Sequence, residues 1–88
     1  MNENQKEPEW LERVKSTNRY HKERLRENPK HTIAKTAKSL KRAIGPVSEE
    51  LKVAQWMKTH SADLIKCEYF HEAVAFIRDK QRQLEIEE

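Results

Sequence analysis

Glycine is nearly missing from this 88-residue chain, which has one at Gly45, and proline is confined to Pro8, Pro29 and Pro46. Those residues build turns, and strand-rich folds need many turns. Lys, Glu, Ala, Leu, Gln and Arg dominate instead, so the expectation is an all-α fold, a small helical bundle of four to five helices. The single cysteine, Cys67, has no internal disulfide partner, which agrees with a reducing compartment. No apolar run approaches the roughly 20 residues that span a bilayer, and MNENQKEPEW lacks the apolar core of a secretory signal, so no membrane partner is expected. The expected location is therefore cytoplasmic.

Catalytic machinery is also wanting. No glycine-rich phosphate loop, nucleophile motif or paired His and carboxylate at metal spacing occurs, so neither catalytic residues nor a cofactor nor a small-molecule substrate is expected. Cys67 and His71 lie four apart with His60 upstream, but structural zinc wants four ligands and no metal is expected. Trp10, Tyr20, Trp56, Tyr69, Phe70 and Phe76 read as core or interface before they read as base-stacking platforms.

Charge is what the chain has in excess. Charged residues make up 38% and apolar ones 35%, which places the chain between a globular domain and a disordered one and predicts a compact centre with soft ends. The net +3 is unevenly spread. Residues 1–45 carry 12 Lys and Arg against 6 Asp and Glu, whereas residues 46–88 carry 6 against 9. Between Arg13 and Arg42 eleven basic residues face only Glu23 and Glu27, and so nearly single-signed a block points to a polyanionic partner. A merely solvated face is the bland alternative, but mixed signs are the usual solubility device.

Periodicity and caps divide the chain. Residues 1–8 are polar and expected to be disordered, residues 9–82 to form a single helical domain, and residues 83–88 to fray as an acidic tail. A first helix is predicted over Glu9–Glu27, opened by Pro8 and stopped by Asn28-Pro29. On it Lys15, Arg19, Lys22 and Arg26 recur at four, three and four residues, one face that can follow a phosphate backbone. Thr32 can cap a second helix over Ile33–Lys41. A third is predicted over Pro46–Thr59, burying Val47, Leu51, Ala54 and Met57. A short fourth follows over Ala62–Lys66 and a fifth over Tyr69–Gln83, the last with Phe70, Ala73, Val74 and Ile77 on one face.

The second and third helices are separated by a short break around Arg42–Gly45, the spacing of a helix-turn-helix. Ala37 is small where the helices cross, Leu40 closes the angle, and Val47 points back into the same core. Thr36-Ala37-Lys38-x-Leu40, followed by x6-Val47-Ser48-x-x-Leu51, resembles the helix-turn-helix of the Cro and repressor class. It resembles still more the version in ParB-type partition proteins and related phage and plasmid DNA-binding proteins. The likeness covers residues 32–60. Two positions depart from it: Lys41 stands where the turn glycine usually follows the leucine, and Ala43 where a serine or threonine often follows the arginine.

The resemblance implies a double-stranded DNA partner, in a bacterial or phage-infected cell and associated with the nucleoid. It assigns base readout to Ile44, Ser48, Glu49 and Lys52: Lys52 for guanine O6/N7, Glu49 for cytosine N4, Ser48 for base or phosphate, Ile44 for a thymine methyl. It assigns phosphates to Thr32, Lys35, Lys38, Lys41 and Arg42, beside the Lys15, Arg19, Lys22 and Arg26 face. Glu50 reads as a helix N-terminal carboxylate stabilised by the macrodipole. Gly45 would let the backbone of the third helix approach DNA closely, with Pro46 fixing the angle of entry. The apolar surplus of residues 61–82 suggests a homodimer interface, since such domains bind paired half-sites. Two alternatives stand beside this reading: a small terminase subunit or other virion component of a phage, and a helical adaptor docking on an acidic protein surface.

Overall fold

A computed structural model describes residues 7–87, with no description of the side chains at 86 and 87. Four helices form a small all-α bundle: α1 (Glu9–Glu27), α2 (Ile33–Ser39), α3 (Ile44–Ile65) and α4 (Phe70–Glu87). α3 is central, with α1, α2 and α4 all packed against it, and α1 also touching α2.

α1 has the bounds its sequence predicts. Pro8 at its N-cap is extended, so its missing N–H costs nothing, and Glu9 and Glu12 sit near the positive end of the dipole with Arg24 and Arg26 near the other. Asn28 ends it, donating its backbone N–H to the Arg24 carbonyl at 2.9 Å. Of its apolar residues Trp10, Leu11 and Val14 are buried, joined by Thr17, while Leu25 is half-buried.

α2 begins where Thr32 accepts a hydrogen bond from the Lys35 backbone at 3.2 Å. It stops two residues short of the expected Lys41. Lys41 has φ 58, the left-handed conformation, and its N–H reaches the Lys38 carbonyl at 3.1 Å while the Arg42 N–H reaches Ala37 at 2.9 Å. That pair of bonds is a Schellman ending, which satisfies carbonyls the helix would leave bare. Lysine at this position bears a cost of roughly 1–2 kcal/mol that glycine would not. The corner therefore turns on Lys41, and Gly45 is not in it.

Gly45 and Pro46 instead occupy the first turn of α3, after the extended N-cap residue Ala43. Gly45 has a negative φ, and a Cβ built on it meets nothing within 4 Å. Nothing among the described residues requires a glycine there. Gly45→Ala is thus expected to raise stability by about 0.4–1 kcal/mol through the unfolded chain, read as a higher urea midpoint with unchanged slope.

The expected third and fourth helices are the two segments of α3, joined across a kink at His60, whose φ −126 and ψ 30 are non-helical. α4 starts one residue later than expected and continues past Gln83 to Glu87, so the acidic segment expected to fray is helical through that residue. Residues 1–6 and 88, parts of the expected soft ends, lie outside the described residues.

The core joins Trp10, Leu11 and Val14 of α1 to Val53 and Leu64 of α3 and to Ala73 and Ile77 of α4. Burying Leu11 and Leu64 contributes roughly 1.5–3 kcal/mol each. The Trp10 indole N–H donates to the Cys67 carbonyl at 2.9 Å, tying the start of α1 to the loop before α4. The buried line of α3 differs from the one its pattern suggests. Val47, Glu50, Val53 and Leu64 are buried, whereas Leu51, Ala54 and Met57 are only half-buried. The reason is polar: Glu50, scored as solvent-facing by any hydropathy pattern, is the residue α1 holds.

Candidate nucleic-acid interface

The α2–α3 corner is locked from inside. Glu50 is 1% exposed, and both its oxygens are engaged by Arg42: Nη1 donates to Oε1 at 2.8 Å and Nη2 to Oε2 at 2.6 Å. Thr17 of α1 donates its hydroxyl to Oε1 at 2.7 Å, and Arg13 Nε approaches Oε2 at 3.1 Å. Burial by itself would push the Glu50 carboxyl up, but Arg42, the Thr17 hydroxyl and Arg13 together hold it below the usual carboxylate range. Planar guanidinium against planar carboxylate fixes both angle and distance, so this pair sets how α3 leaves the corner.

Two sequence assignments change here. Arg42, expected on a DNA phosphate, has both terminal nitrogens committed to Glu50. Glu50, expected near the helix start as a dipole partner, lies nearly two turns into α3 as a buried ion-pair acceptor. No local signal distinguishes that role, because Thr17 is 33 residues away from Glu50 in sequence.

A second polar tie orients α2. The Thr36 hydroxyl, fully buried, lies 2.6 Å from His21 Nδ1 of α1 and 2.6 Å from His31 Nε2 of the preceding loop. One hydroxyl has one proton to give, so one imidazole accepts and the other donates. Burial, then the neighbouring His31, hold His21 below the ordinary histidine range.

The outer side of this corner is uncovered. Ile44, Glu49 and Lys52 are exposed and Ser48 is half-buried, with Ile44, Ser48 and Lys52 four residues apart on one face of α3. Glu49 and Lys52 also border a small cavity of about 60 Å³, walled from α4 by Arg78 and Gln81. Lys35, Lys38 and Lys41 are exposed along α2 and at its end. The Thr32 oxygen caps α2, leaving its hydroxyl proton for an outside acceptor. Lys15, Arg19, Lys22 and Arg26 are all exposed on α1, and Lys15 pairs with Glu7 at 3.2 Å.

The fold also assembles what spacing in the chain does not show. Asn18 and Lys22 of α1 meet Gln55 and Lys58 of α3 across a groove floored by Leu25, Ile33, Leu51 and Ala54. The half-buried state of Leu51 and Ala54 is explained by it. At the far end of the bundle, Cys67 is half-buried with its thiol pushed up by burial and by Glu72 and Asp63. Among the described residues, no three His, Cys, Asp or Glu side chains gather as metal ligands, and no helix is long and apolar enough to cross a membrane.

Comparison with protein-family models, with curated proteins and with solved structures found no match to this chain.

Proposed function

We propose that this chain is a sequence-specific double-stranded DNA-binding protein of the helix-turn-helix kind, a phage- or plasmid-type regulator or partition-type protein. One observation carries the reading: a Schellman corner leaves Ile44 and Lys52 of α3 exposed, with Ser48 half-buried between them, bordered by exposed Lys35, Lys38 and Lys41. A helix of that exposure fits a major groove, and ammonium groups beside it fit phosphates. Gly45 supports it independently, since a bare backbone at the start of α3 meets no neighbour among the described residues and is open to an outside partner.

Selection from a random duplex pool, followed by sequencing, tests the proposal. A recurring motif is expected, and a palindromic one if two copies pair through residues 61–82. Lys52→Ala is expected to relax the preference at one position by about 1–3 kcal/mol, whereas Lys38→Ala weakens all sequences alike. Equilibrium titration of matched and mismatched duplexes reads both. If neither substitution alters duplex binding, the basic face serves an acidic protein surface instead.

A further inference from the structure

The groove between α1 and α3 has a volume of about 460 Å³, and none of the residues lining it is acidic. Its rim carries Lys22 from α1 and Lys52 and Lys58 from α3, and its polar lining includes the amides of Asn18 and Gln55. Lys22 and Lys58 converge from different helices. Both line this one groove, and Lys58, through the hydrogen bonding it offers and its charge, holds the Lys22 ammonium below the ordinary lysine range. With no carboxylate in the lining to compete, an anion seated between the two ammonium groups would meet positive charge from both sides.

We propose that Lys22 and Lys58 together clamp one backbone phosphate of duplex DNA in this groove. The occupant follows from what adjoins it. Lys22 belongs to the exposed face of Arg19 and Arg26, and Ser48 and Lys52 of the readout face line the same groove. A strand passing along α1 therefore crosses the groove beside α3. The clamp rests on the nucleic-acid reading above, and it adds Lys58, which no motif in the chain indicates.

The test is duplex titration across salt concentrations with the native protein, Lys22→Gln, Lys58→Gln and the double variant. Two lysines on one phosphate predict that the double variant lowers the salt slope by about 1. They also predict that the second substitution does less in the presence of the first than it does alone. A drop of about 2, the sign of separate phosphates, overturns the clamp, as does an unchanged slope. Both lysines are exposed, so the variants should fold. Inorganic phosphate against chloride at equal ionic strength provides the second arm. If no form binds duplex but phosphate raises the melting temperature of the native protein and not of Lys58→Gln, the anion seat stands and the nucleic-acid reading falls. If phosphate treats the two alike, the seat falls as well.

Discussion

Glu50→Ala is expected to lower the stability of the domain by about 3–5 kcal/mol, measured as a fall in the urea midpoint and in the melting temperature. The size follows from what remains behind. Arg42, with its side chain 28% exposed, would keep a guanidinium held against α3 with no carboxylate opposite it, and the Thr17 hydroxyl would lose its acceptor. Arg13, 60% exposed, can turn to water and adds little. Small domains are stable by on the order of 5–15 kcal/mol, so the variant would sit near its unfolding threshold. Replacing the pair together, Arg42→Met with Glu50→Leu, should cost much less, because apolar residues of similar volume substitute well for a buried ion pair. A single substitution no worse than the double one would sink the claim that the pair is internally compensated.

The same network sets an acid limit. Glu50 has a folded value below its unfolded one near 4.5, so its contribution is complete above that pH and is lost as pH falls through the lower folded value. His21 is also depressed, from an ordinary 6.5, so its neutral form is the one the fold holds, and stability declines as pH falls from there toward the folded value. Chemical denaturation between pH 7 and pH 3 should show both losses, the shallower one first. His21→Gln, which removes the titrating imidazole, should abolish the first and leave the second.

Duplex affinity is expected to fall about 10³-fold between 50 and 200 mM salt. With Arg42 turned inward, the exposed cations of the basic block that make no ion pair among the described residues include Arg19, Lys22, Arg26, Lys35, Lys38 and Lys41. Six phosphate contacts release counterions with a slope of about −5 in log affinity against log salt, which over that range yields the stated loss. Removing Lys35 or Lys41 should lower the slope by about 1 each, while Arg42→Gln should act through stability and leave it unchanged. A slope near zero would mean that the basic block does not meet phosphates.

How much of this was legible beforehand differs from element to element. The bounds of α1 could be read because Pro8, Glu9, Glu12 and Asn28-Pro29 act on neighbours within a turn. The Thr32 cap and the left-handed turn after Leu40 were equally local. Lys41 at that turn misplaced the corner by a few residues, since the glycine that marks such a turn stands instead at position 45.

From its sequence alone the chain is all-α, basic in its first half, and divided by a corner between a capped short helix and one that exposes Ile44 and Lys52. Those properties rest on contacts three or four residues apart, which composition and spacing encode directly. Only the tertiary structure decided that Glu50 is interior, that Arg42 is its partner, and that Lys22 and Lys58 face each other across a groove. Each depends on where α1 crosses α3, and that crossing is set by side chains more than thirty residues apart, whose pairing no local pattern contains.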